Sequence, residues 1–245
     1  MKESVIIVSH YPPERIRAIA MPVGGIGTGC FALGGDGALL DWQLMSRPHR
    51  GWRPPYAHLL LWVRTPNDKT YLRVLEGMLR LQLDADHGAP QPLAGIPRMR
   101  AAGFEAAYPF GSALLRDPVL PIEVSLTAFN PLIPEATDDS SLPMGLLTIV
   151  VSNRGARPLE ASLTFLLTNF LGEDGVRRDL RGNISEFAEA HGWRGLLFRK
   201  EPKQRSPRWG TLTLLAEGGA VLAARRWVFR DRPWNGEALG MIDTL

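Results

Sequence analysis

Polar and apolar positions alternate with a period of two along much of this chain. Ile122-Glu123-Val124-Ser125-Leu126-Thr127-Ala128-Phe129 places four apolar side chains on one face and three polar ones on the other. Leu159–Phe165 and Leu79–Leu83 repeat the pattern. Each predicts a half-buried strand, because successive side chains in extended backbone point to opposite faces. Ala57–Arg64 and Met144–Ser152 are near-continuous apolar runs, which suits strands near the middle of a sheet. Gly210–Leu215 and Ala220–Phe229 predict two more strands, with Glu217-Gly218-Gly219 as a hairpin turn between them.

Turn chemistry punctuates these segments. Gly34-Gly35-Asp36-Gly37 separates Cys30–Leu33 from Ala38–Leu44, and Thr65-Pro66-Asn67-Asp68 ends a strand. Asn153–Pro158 predicts a hairpin between two strong strands. Helical periodicity is confined to a turn or two over Ile184–Ala190. Strands every 10 to 15 residues with few short helices predict an all-β chain, an antiparallel β-sandwich of the supersandwich type.

Composition narrows the functional classes. The 245 residues carry 25 Gly and 20 Pro without a period, which excludes collagen and argues against long helices. The single cysteine, Cys30, excludes an internal disulfide framework and a cysteine-based metal site. It reads as a small buried hydrophobe. The N-terminus lacks the apolar core and small-residue cleavage site of a signal peptide, and no stretch predicts a transmembrane segment. A cytoplasmic location is the expectation. Lys+Arg 28 against Asp+Glu 25 leaves a net charge of only +3, with no run of five basic residues. That is too weak a field to predict nucleic-acid binding.

Candidate chemistry is sparse. Gly24-Gly25-Ile26-Gly27-Thr28-Gly29 invites a phosphate-loop reading, but a strand and a Gly-Asp-Gly turn follow where such a loop needs a helix. A close-packed, bulged chain entry in which side chains would not fit is favoured over a loop lining a ligand groove. Asp41-Trp42-Gln43 followed by Arg47-Pro48 is an unusual polar and aromatic cluster. It admits two readings: a sugar-binding platform, or a buried Trp beside an Asp–Arg pair that ties down a loop. Asp138-Asp139-Ser140-Ser141 reads as a turn, Glu123 as a solvated strand residue, and the five scattered histidines offer no zinc spacing. No catalytic residue, metal or cofactor is assigned.

Several motifs in a fixed order carry a resemblance. Met21–Gly29 is followed by Leu33-Gly34-Gly35-Asp36-Gly37, then Asp41-Trp42-Gln43 with Arg47-Pro48. Tyr108-Pro109-Phe110, Asp117–Val124 and Ala128–Pro134 come next. Asp139–Pro143, Val151-Ser152-Asn153 and Thr168-Asn169-Phe170 complete the series. Together they resemble the N-terminal part of glycoside hydrolase family 116, the family of non-lysosomal glucosylceramidases and bacterial β-glucosidases. The resemblance implies that residues 1–245 are a single N-terminal sandwich, lacking its last strands and lacking the (α/α) barrel that holds the family's two catalytic carboxylates. It implies a partner, the helical catalytic domain of the same or an adjacent chain, and through it a carbohydrate or glycolipid substrate. Gly25, Gly27, Thr28, Asp41, Trp42, Gln43 and Arg47 are then the candidates for the domain interface or substrate groove. A stand-alone carbohydrate-binding module and a structural interaction domain are the alternatives.

Overall fold

Strand formation follows the alternation. The structure, a computed structural model, describes residues 8–44, 50–78, 93, 95–173, 179–201 and 209–225. The chain divides into two compact units, Met1–Ala89 with Ile96–Leu167, and Pro90–Gly95 with Thr168–Leu245.

The first unit contains a five-stranded sheet. Its strands are β1 (Ser9–Tyr11), β8 (Ala101–Ala107), β9 (Phe110–Arg116), β10 (Ile122–Phe129) and β11 (Leu146–Asn153), in that order and antiparallel throughout. β10 realises the sequence pattern: Ile122, Val124, Leu126 and Ala128 are buried, while Glu123, Ser125 and Thr127 alternate with them. Burying each larger apolar side chain in this row stabilises the fold by roughly 1.5–3 kcal/mol relative to exposure.

A second sheet has the order β12 (Glu160–Leu166), β5 (His58–Arg64), β6 (Thr70–Gly77), β7 (Arg98–Met99). Only the β6–β7 pair is parallel. β6 packs on β8 and β9 of the first sheet, and the two sheets form a sandwich. A Cβ added at Gly77 would lie 2.8 Å from the Ala102 Cβ, so the sheets approach closely here. A third sheet, β2 (Ala20–Gly25), β3 (Gly29–Gly34) and β4 (Leu39–Gln43), packs through β2 on β10 and through β3 on β9. A 3-10 turn at Ile16–Ala18 and a short helix, α1 (Thr137–Ser140), complete the unit.

The second unit holds an antiparallel meander of β13 (Asn183–Ala190), β14 (Trp193–Lys200) and β15 (Thr211–Ala216). Lys200 is buried there, and its ammonium donates to the carbonyls of Asp179 (2.6 Å) and Arg181 (2.7 Å) and to Asn183 Oδ1 (3.2 Å).

Four expectations need correction. Asn153–Pro158 is not a hairpin between paired strands, because β11 pairs with β10 while β12 pairs with β5 in the other sheet. β11 is a sheet edge rather than a central strand; its apolar run leaves Leu146 and Val150 exposed. Ile184–Ala190 is strand β13, its pairing with β14 outweighing a weak helical spacing. Residues 220–225 form no strand after the Glu217–Gly219 turn. The segment Leu79–Leu83 lies outside the described residues. No helix among the described residues is long and apolar enough to cross a membrane.

Candidate functional site

The glycine-rich segment is the tip of the β2–β3 hairpin, and two of its backbone donors, Ile26 and Thr28 N–H, are engaged within the chain. Ile26 N–H donates to the Ser140 carbonyl at 2.8 Å. The Thr28 hydroxyl donates to the Ser141 carbonyl at 2.9 Å. A Cβ at Gly25 would stand 2.5 Å from the Leu142 carbonyl oxygen, and one at Gly24 would stand 2.4 Å from the Gly29 oxygen. Glycine is needed because backbone meets backbone here. At the tip, Gly27 has open space around it and a φ of +71°. A phosphate loop needs a helix N-terminus behind it; here strand β3 follows and Ile26 N–H is turned to Ser140, so the loop is a docked hairpin.

The segment that receives it is built around two buried polar residues. Ser140 is 1% exposed; its hydroxyl donates to the Ile133 carbonyl (2.9 Å) and accepts from Ile133 N–H (2.8 Å). That pair closes the loop from Ile133 through α1. Asn130 accepts from Leu132 N–H at 3.1 Å, and its Nδ2 donates to the Pro22 carbonyl at 2.9 Å. Its own N–H donates to the Pro109 carbonyl, also at 2.9 Å. The four motif segments 21–29, 108–110, 128–134 and 139–143 therefore meet at one end of the sandwich. Nothing in their spacing along the chain shows this.

That end is apolar and exposed. Phe110, Phe129 and Leu146 stand side by side in one cross-strand row, with the Phe110 and Phe129 rings 5.1 Å apart. Phe110 is 48% exposed, and the neighbouring segments add exposed Ile26, Tyr108, Ile133 and Met144. A cross-strand apolar row of this kind, open to solvent at Phe110 and Leu146, suits an interaction site.

The Asp41 cluster has a different character. Cys30 pairs with Gln43 and Ala32 with Leu40, so Asp41 and Trp42 together oppose Phe31 in a bulge. Asp41 takes a φ of +51° there, and its Oδ1 accepts from Gly51 N–H at 2.5 Å. Trp42 is 5% exposed, its Nε1 donates to the Leu39 carbonyl at 3.1 Å, and its ring stacks on Phe31 at 4.9 Å. Of the two readings, the buried tryptophan describes this residue, because its ring face is not open to a sugar. Gln43 ends β4 half-buried. Arg47 lies outside the described residues. Cys30 is half-buried rather than buried; burial and the charge of Asp41 push its thiol up. Glu123 is not merely solvated, since Arg116 and Arg154 both pair with it.

Sequence reading missed the buried ionic groups. Arg73 on β6 donates to Asp117 Oδ2 at 2.6 Å, in the interior of the first unit. Burial alone would raise the Asp117 carboxyl, but the Arg73 hydrogen bond, Val119 N–H and the charges of Arg73 and Arg100 bring it below the ordinary range. Glu76, 3% exposed, holds Arg53 at 2.8 Å and Arg98 at 3.2 Å. His58 lies 3.7 Å from the same carboxylate and is driven down to about 4, first by burial. A signal was present for Glu76, a lone acid inside the buried run Val74–Gly77. His58 carried the same kind of signal, a lone polar residue in the apolar run Ala57–Arg64.

Against this geometry, comparison with known families gives a match over most of the chain. The family model described as beta-glucosidase 2, glycosyl-hydrolase family 116 N-term, matches residues 20–239. The matched region contains the docked glycine hairpin, the Asp41 bulge and the whole exposed apolar end.

Proposed function

Because the chain belongs to the N-terminal domain family of the family 116 glycosyl hydrolases, we propose that it is a non-catalytic sandwich that packs against a helical catalytic domain and helps shape its substrate groove. The observation that carries this reading is the convergence of four motif segments on one exposed apolar end, around Phe110, Phe129 and Met144. Folding alone gives no reason to leave those side chains in water, and a partner that covers them recovers their transfer free energy.

In this reading the parent enzyme is a retaining β-glucosidase or glucosylceramidase. Its catalytic carboxylates belong to the partner domain. The docked hairpin tip at Gly25, Gly27 and Thr28 sits at the rim of the contact. Asp41, Trp42 and Gln43 act from within, by fixing the bulge that carries β4. A cytoplasmic setting goes with this, since a single free cysteine asks for no oxidising compartment.

The test is glucose release from an aryl β-glucoside. The chain alone should give none, and the helical domain should work better with the chain than without it. Turnover by the chain alone, abolished by one Asp or Glu substitution, would overturn the reading. The carbohydrate-binding alternative loses Trp42, which is buried, and would rest on the half-buried Trp52.

A further inference from the structure

The inner face of β6 carries Arg73, Leu75 and Gly77 toward the five-stranded sheet, so Val74 and Glu76 point to the opposite face. Leu60 pairs with Val74, and continuing that antiparallel register places His58 across from Glu76 on this outer face. On its other side His58 pairs with Leu166 of β12. The imidazole is 1% exposed, and neither ring nitrogen has a hydrogen-bond partner. A buried polar group in that state is costly and asks for an explanation. Four charged or titratable groups belong to this cluster. Glu76 is on β6, Arg98 is on β7, Arg53 is on the segment before β5, and Asp36, in the β3–β4 turn, interacts with Glu76 and Arg53.

We propose that His58 is an acid-operated latch on the segment 50–57. With His58 neutral, Glu76 Oε1 is available to Arg53 and Oε2 to Arg98. Arg53 thereby ties the segment to the sheet, and Gly51 and Trp52 in turn hold Asp41 and Trp42 through Gly51 N–H to Asp41 and Trp42 N–H to the Trp52 carbonyl. A protonated His58 is a third cation beside one carboxylate, and its Nε2 already stands 3.7 Å from Oε1. Arg53 is the cation nearer water, at 19% side-chain exposure against 10% for Arg98. It leaves at least cost, and the segment loses its tie to Glu76 with it.

The sign follows from the folded state disfavouring the proton. Between the ordinary histidine value of 6.5 and about 4, the latched state binds fewer protons than the open one. Its stability is therefore full above pH 6.5 and falls as the pH drops toward 4. The shift corresponds to a change on the order of a hundredfold in the latch equilibrium. Asp36 is the competing trigger, because burial, with the charge of Glu76 adding to it, raises its carboxyl.

Amide hydrogen exchange of the whole chain at pH 7 and pH 4.5, corrected for intrinsic rates, tests the latch. The amides of Gly51 and Trp42 should lose tens-fold protection at pH 4.5 in the native chain and in Asp36→Asn, and should keep it in His58→Gln. His58→Phe, which fills the same space without titrating, must also keep it, and it carries the test if the glutamine variant does not fold. Unchanged protection in the native chain, equal loss in the His58 variants, or rescue by Asp36→Asn would each overturn the proposal.

Discussion

Asn130 Nδ2 donates to the backbone carbonyl of Pro22 across 2.9 Å, although the residues are 108 positions apart. This bond ties the end of β10 to the strand that carries the glycine hairpin. It is the point where two motifs from distant parts of the chain become one surface. Asn130 is 8% exposed, so water cannot readily replace its partners.

Asn130→Ala leaves the Pro22 carbonyl and the Leu132 N–H without their side-chain partner. The expected loss is about 1–3 kcal/mol, read as a lower urea midpoint at unchanged m-value. Loosening should concentrate in residues 128–143.

Gly25→Ala and Gly27→Ala should differ in mechanism. The first pushes a methyl into the Leu142 carbonyl and unseats the loop after α1, for about 1–3 kcal/mol. The second meets nothing and suffers only the left-handed φ, about 1 kcal/mol. A variant pair in which Gly25→Ala is the milder change contradicts the docked hairpin.

Asp117→Asn strands a buried guanidinium and should cost about 3–5 kcal/mol by denaturant unfolding. Replacing both partners, Arg73→Met with Asp117→Leu, should recover much of that loss. The Asp117 carboxyl is lower in the folded state than in the unfolded chain. Its contribution is therefore present above the ordinary carboxylate range and fades as the pH falls through the depressed folded value.

Trp42→Ala removes a ring stacked on Phe31 in the core and should cost about 3–5 kcal/mol, measured by thermal or chemical unfolding. Glycan binding is not expected in the native chain, so a saturable glycan isotherm abolished by this substitution at intact fold would contradict the buried assignment.

The strands were legible where one face is dry. β10 reads directly from Ile122 to Phe129, because alternation and burial coincide. β11 was misplaced, since an apolar run carries no mark that distinguishes a covered strand from an edge with an exposed face. The partner of β12 was illegible for a related reason: a short connection looks like a hairpin, while here it crosses between sheets. At the site, the glycines announced close approach, yet only the fold shows that Ser140 and Leu142 are what they approach. The family motifs were visible as words. Their convergence rests on hydrogen bonds from Asn130, Ser140 and Thr28 that no local pattern encodes.

The docking role of the apolar end is tested most directly by amide hydrogen exchange of the chain with and without a helical family 116 catalytic domain. Protection is expected at residues 24–29, 108–110 and 129–146, and it should vanish in Phe110→Asp at unchanged circular dichroism. No protection at these segments on stable complex formation, or protection confined to the β12 edge, would contradict it.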